Sequence, residues 1–184
     1  YGYMKIPLNR GRTQGGKVSS PQDMHAAQGI GRAVAEGMLP GRLYIVGPGS
    51  TTAAVMDALH LPNTLLGVDL VMDNRLVAAD VGEGEVLARL EGDVQAKIVV
   101  TPIGGQACLF GRGNQQVSPR VLRRVGKENI LIVATQAKLG TFYGGRLLLD
   151  TGDEETDRWL QGFYRVLVGY RKETVFPVGG AAES

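Results

Sequence analysis

Four short apolar runs constrain the fold more than any other feature: Leu43-Tyr44-Ile45-Val46, Ala96-Lys97-Ile98-Val99-Val100, Ile130-Leu131-Ile132-Val133-Ala134 and Arg146-Leu147-Leu148-Leu149-Asp150. None alternates apolar and polar residues as a strand with one wet face does. Each therefore reads as a strand covered on both faces, the signature of a mostly parallel sheet. Helical segments alternate with the strands from residue 43 to 162. The expected fold is α/β: a mostly parallel sheet with helices on both faces, three layers in all, plus β-hairpins.

The helices announce themselves by their ends. Ser20-Pro21-Gln22-Asp23 supplies a cap, a first-turn proline and an acid at the positive end of the dipole. Ile30, Val34 and Met38 follow at a spacing of four, Gly29 and Gly31 weaken that helix, and Pro40-Gly41 is expected to end it. Further helices are expected over 53–59, over 83–90, after Ser118-Pro119 up to a Gly126 cap, and from Asp153-Glu154-Glu155 through Trp159 and Leu160. Runs at 65–72 and 76–80 flank Asp73-Asn74, a hairpin turn because both residues tolerate positive φ. A closing hairpin pairs 164–170 with 174–178 around Arg171-Lys172. The division expected is an extension and helix over 1–42, an α/β ligand-binding domain over 43–178, and a frayed tail over 179–184.

Composition narrows the function. The 184 residues carry 20 basic and 18 acidic side chains, a net charge of +2, which gives no support for a nucleic-acid binder. A hydrophobic fraction of 43% suffices for a core. No apolar run approaches the ~18 residues of a membrane span. The single cysteine, Cys108, excludes an internal disulfide and fits a reducing, cytoplasmic setting.

Ligands of such sheets sit at the carboxyl ends of the strands. Three glycine-rich loops fall there, at 47–52, 101–115 and 150–153. In the first, Gly47, Gly49, Ser50, Thr51 and Thr52 join a strand to a helix, where free N–H groups and the dipole favour a phosphate. An ordinary tight turn capped by Ser50 reads the same residues equally well. In the second, Gly104, Gly105, Gln106, Arg112, Gly113, Asn114 and Gln115 combine close backbone approach with amides and one guanidinium, which suit phosphate and hydroxyl groups. Arg112 is the candidate anion contact, against a solvated surface arginine. Asp150 ends a strand on the same presumed edge, and Asp69, an acid within an apolar strand, is the candidate catalytic group. His25, His60 and Cys108 lack partners for catalysis, and no metal site is assigned.

These segments resemble a known family. Gly47-Pro48-Gly49-Ser50-Thr51-Thr52, Gly67-Val68-Asp69, Thr101-Pro102-Ile103-Gly104-Gly105-Gln106, Phe110-Gly111-Arg112-Gly113-Asn114-Gln115-Gln116 and Asp150-Thr151-Gly152-Asp153 are similar to the carboxy-terminal half of prokaryotic ATP-NAD kinase-like proteins. Tyr1-Gly2-Tyr3 and Gln14-Gly15-Gly16-Lys17 fit the segment that leads into it. The resemblance implies phosphorylation of NAD by ATP, with Mg2+ as candidate ion. It also implies that the GGDGT-type motif with the catalytic aspartate lies upstream of Tyr1, so that these residues alone would not turn over NAD. The arrangement also resembles sugar-phosphate isomerase/deaminase domains, which leaves a phosphosugar as the alternative ligand. A non-catalytic ligand-sensing domain is the third reading. A homo-oligomer acting on a small molecule, without nucleic acid or membrane, is expected.

Overall fold

The computed structural model describes residues 20–142 and 144–180. Its elements run α1 (Pro21–Glu36), β1 (Leu43–Val46), α2 (Ser50–Ala58), β2 (Asp69–Met72), β3 (Arg75–Ala78), α3 (Glu83–Arg89), β4 (Ala96–Val100), β5 (Cys108–Phe110), α4 (Pro119–Val125) and a 3₁₀ turn η1 (Lys127–Asn129). They continue with β6 (Ile130–Val133), α5 (Gln136–Gly140), β7 (Leu147–Leu149), α6 (Glu154–Leu160), β8 (Gly162–Gly169) and β9 (Lys172–Gly180).

The described strands form one nine-stranded sheet in the order β3-β2-β1-β4-β6-β8-β9-β7-β5. Pairs β1–β4, β4–β6 and β6–β8 are parallel, as are β9–β7 and β7–β5. The pair β1–β2 and the hairpins β2–β3 and β8–β9 are antiparallel. The α/β expectation holds, and so does its physical basis. Leu43, Ile45, Ile98, Val100 and Ile132 pack on one face with α3 and α4, while Tyr44, Val46, Val99 and Val133 pack on the other with α1 and α2. Alternate residues of one strand thus feed two separate cores.

Local chemistry fixes the joints. Ser20 Oγ accepts the Asp23 N–H at 3.1 Å, Ser118 Oγ accepts that of Val121 at 3.3 Å, and Asp153 Oδ1 accepts that of Glu155 at 3.3 Å. Asp73 and Asn74 both take positive φ, 51° and 58°, as the hairpin turn requires. Gly31 has a packing reason that sequence alone concealed. A Cβ there would stand 2.0 Å from the Ala54 carbonyl oxygen, so this glycine lets α1 lie directly on α2.

Several expectations need correction. The first helix stops at Glu36 with Gly37 as its C-cap, before Pro40-Gly41. The second begins at Ser50 rather than Ala53, because the turn ends at Gly49. The run over 65–72 forms a strand only from Asp69, since Asp69 accepts the Thr64 N–H at 2.7 Å and folds 64–68 into a loop, leaving Leu65 and Leu66 exposed. Its partner runs over Arg75–Ala78 rather than 76–80, and the fourth apolar run pairs only through Leu147–Leu149. The closing hairpin is longer than expected: β9 continues to Gly180, paired with Leu149, so Gly179 and Gly180 belong to the sheet. The segments 1–19 and 181–184, and with them the Tyr1-Gly2-Tyr3 and Gln14-Gly15-Gly16-Lys17 expectations, lie outside the described residues.

Candidate functional site

The sheet topology divides the three glycine-rich loops. Strands β1, β4, β6 and β8 point one way; β9 is antiparallel to β8, and β7 and β5 follow β9. Residues 108–110 of the long second loop form β5 itself. Its first part, 101–107, therefore leaves the sheet edge that also carries 47–52. Its second part, 111–115, follows a strand of opposite direction and joins 150–153.

Close approaches mark both groupings. At the first edge Gly47 N–H donates to Val99 O at 2.9 Å, and a Cβ on Gly49 would stand 2.4 Å from Thr101 Cγ2. In the second group a Cβ on Gly111 would stand 1.8 Å from Asp150 O. The two groups touch where Gly113 packs on Ile103.

At the first edge lies a cavity of about 680 Å³, within the range of nucleotide and cofactor sites. Three helical stripes wall it. From α1 come Ser20, Asp23, Met24, Ala27 and Gln28; from α2, Ser50, Thr51, Ala54 and Asp57; from α5 and its cap, Thr135, Ala137, Lys138 and Thr141. Spacings of three and four keep each set on one helix face. Alanines 27, 54 and 137 contribute small apolar side chains to the lining.

The electrostatics of the hydroxyl end follow from the chain. The α2 N-cap is Gly49, at φ 130°, and no side chain caps the helix. Its first amides are thus left for another acceptor. Thr52 Oγ1 is committed to Gly49 O at 2.8 Å. Thr135 Oγ1 caps α5 by accepting the Lys138 N–H at 3.2 Å, and the Lys138 ammonium donates to Thr101 Oγ1 at 3.0 Å. Lys138 is the cation in the cavity lining among the described residues. An uncapped helix start beside hydroxyls and one ammonium is chemistry that receives an anion.

Of the residues singled out in the sequence, Ser50 and Thr51 line this cavity, while Gly47, Gly49 and Thr52 shape its α2 wall. Gly104, Gly105, Gln106, Arg112, Gly113, Asn114, Gln115 and Asp150 do not line it. Asn114 is buried and bonded within its own loop: Oδ1 accepts the Gly111 N–H at 3.0 Å and Nδ2 donates to Leu109 O at 2.8 Å. Asp69 is buried with its carboxylate accepting the N–H groups of Thr64 and Asp80, at 2.7 and 3.0 Å. Both side chains hold backbone in place. Cys108 is half-buried, its Sγ donating to Phe110 O at 3.3 Å, and burial pushes its thiol up, away from a reactive thiolate. Among the described residues no group of three or more His, Cys, Asp and Glu could hold a metal ion.

The sequence reading missed Thr135, Lys138 and the α1 contribution. The signal for α5 was present but weak: Thr135 followed two residues on by Ala137-Lys138 after a buried strand, in a helix of only five residues. For α1 the cap was recognised, yet nothing local says that its first turns border the α2 start.

Fold and cavity together define a three-layer α/β domain that offers a pocket lined by hydroxyls and one ammonium at the carboxyl edge of its parallel strands β1, β4 and β6. The model of the ATP-NAD kinase C-terminal domain family matches residues 43–178, and the chain belongs to that family. Searches of curated proteins and of solved structures returned no match. No helix among the described residues is long and apolar enough to cross a membrane.

Proposed function

We propose that this domain supplies nucleotide-binding surface to an NAD kinase-like phosphotransferase, and that the cavity between α1, α2 and α5 receives the nucleotide. The observation that carries this reading is the convergence of the uncapped α2 start, Thr135 and Lys138 on one 680 Å³ cavity. Membership of the ATP-NAD kinase C-terminal domain family supports ATP and NAD as the ligands in this reading.

In this reading the phosphates lie against the first amides of α2, with Ser50 and Thr51 beside them. Lys138, held by Thr101, neutralises part of their charge. Phosphoryl transfer depends chiefly on position and charge stabilisation. The residues described here perform those two tasks, and the cavity contains no side chain that we assign as catalytic base. The loop 111–115 with Asp150 forms a second surface, whose Arg112 is a further anion contact in this proposal.

Calorimetric titration of the chain with ATP, NAD and glucosamine 6-phosphate tests the reading. Binding of ATP or NAD, weakened at least tenfold by Lys138→Met, supports it. Binding confined to the sugar phosphate favours the isomerase-like alternative, and absence of binding by all three overturns it.

A further inference from the structure

The apolar strand β4 carries one charge, Lys97. It stands opposite Tyr44 of β1, on the sheet face that Val99 shares. Lys97 is half-buried, and among the described residues its ammonium makes no hydrogen bond or ion pair. It lines a second groove, of about 350 Å³, between the sheet and the last turns of α1. Leu131 and Leu167 join it from the sheet, Val34 and Gly37 from α1, and Arg171 and Glu173 from the β8–β9 hairpin. No residue lines both this groove and the cavity described above.

The carboxylates around the groove are already engaged. Glu173 pairs with Arg165 at 3.6 Å. Glu36 accepts from Arg32 Nε at 2.7 Å and from the Tyr170 hydroxyl at 2.9 Å, and stands 3.8 Å from Arg171. The cations Arg32, Lys97, Arg165 and Arg171 thus share two carboxylates, and Lys97 is left without a counter-charge among the described residues. A partly desolvated ammonium is costly unless paired, so the groove suits an anion. Two features narrow the kind. Gly37 brings the carboxyl end of α1 to the groove, and the negative end of a helix dipole disfavours a dianionic phosphate. Val34, Leu131 and Leu167 favour a hydrocarbon body. Residues 1–19 of the chain carry Lys5, Arg10, Arg12 and Lys17 and no acid, so by charge they do not match. We propose that this groove is a second binding site, that it takes a small organic carboxylate with an apolar body, and that Lys97 pairs with the carboxylate. The volume is at the lower end for small-molecule sites. The site stands independently of the nucleotide reading given above.

The test is NMR titration of the isotope-labelled chain with 1-naphthoate and with its neutral counterpart, 1-naphthamide. The expected result is saturable shifts at the amides of Val34, Lys97, Leu131 and Leu167, with the carboxylate binding about tenfold tighter than the amide, the size of one charge-assisted hydrogen bond. Lys97→Met should abolish that preference without weakening naphthamide, and Lys97→Arg should keep it. Thermal melting establishes that the variants fold; if Lys97→Met does not, Lys97→Arg and the wild-type preference decide. Equal affinity for the two probes in the wild type overturns the proposal. So does an unchanged preference in Lys97→Met, which leaves Lys97 only the task of balancing the carboxyl end of α1. Shifts confined to Ser50, Thr51 and Lys138 overturn it by placing the carboxylate in the other cavity. Absence of saturable naphthoate binding overturns it as well, and hexaglutamate binding at the same residues would then assign the groove to an acidic protein segment.

Discussion

Lys138 Nζ lies 3.0 Å from Thr101 Oγ1 and donates to it. That bond ties the helix after β6 to the loop after β4, its parallel neighbour, and fixes the cation at the cavity wall. Thr101 itself is buried. Removing the ammonium by Lys138→Met should lower affinity for phosphorylated ligands at least tenfold. The melting temperature should change by only a few degrees, because Lys138 is half-buried and its stem is retained. Thr101→Val should give a smaller loss of affinity, by removing one bond that positions the ammonium without removing its charge. Calorimetry and thermal melting on both variants check this.

Glycines here divide by what surrounds them. Gly31→Ala would drive a methyl into the Ala54 carbonyl and should destabilise by about 1–3 kcal/mol as α1 is pushed from α2. Gly111→Ala combines φ of 115° with a clash against Asp150 O and should cost at least as much. Gly84, inside α3 with nothing near its missing Cβ, should give the opposite sign: Ala there stabilises by roughly 0.5–1 kcal/mol. Urea unfolding of the three variants measures the set.

Asn114 and Asp69 should behave as backbone clamps. Asn114→Ala strands the Gly111 N–H and Leu109 carbonyl in a buried loop and should cost about 1–3 kcal/mol. Asp69→Ala strands the N–H groups of Thr64 and Asp80, with a loss of about 1–3 kcal/mol. Neither should alter affinity for AMP beyond what the lost stability explains, which parallel unfolding and titration would establish.

Stability should fall at both extremes of pH for identifiable reasons. The Asp153 carboxyl is held below its usual 3.8 chiefly by the Thr156 hydroxyl, and that of Glu36 below 4.5 by hydrogen bonds from Arg32 and then Tyr170. A folded pKa below the unfolded one stabilises fully above the unfolded value. That stabilisation is lost as pH falls below about 4.5 and 3.8 through the lower folded values. At the other extreme, burial pushes Tyr164 up from 10.0 to about 12. A raised pKa stabilises fully below pH 10, and this contribution disappears as pH rises towards 12. In melting curves against pH, Tyr164→Phe should flatten the alkaline decline and Thr156→Val the acid one.

What could be read in advance was what each segment states about itself. The strands at 43–46, 96–100 and 130–133 are apolar on both faces because both faces are covered. Ser20, Ser118 and Asp153 are caps whose side chains reach the amides two or three residues on. The failures concern partners distant in sequence. Nothing local to Cys108-Leu109-Phe110 tells that it pairs with residues 148–149, so a glycine-rich segment looked like one loop when it is two divided by a strand. Leu65 and Leu66 looked like strand because apolar pairs usually are, yet Asp69 bends the chain before them. Ser50 and Thr51 were legible as a helix start after a strand; Lys138 was not, because its importance comes from β6 lying beside β4.

The most direct measurement is a crystal structure of this chain with ATP or NAD bound. The account predicts phosphate density within hydrogen-bond reach of the Ser50 and Thr51 amides and of Lys138 Nζ, in the cavity walled by α1, α2 and α5. Phosphate density instead on Arg112, Gly113 and Gln115, with that cavity filled only by solvent, would contradict it.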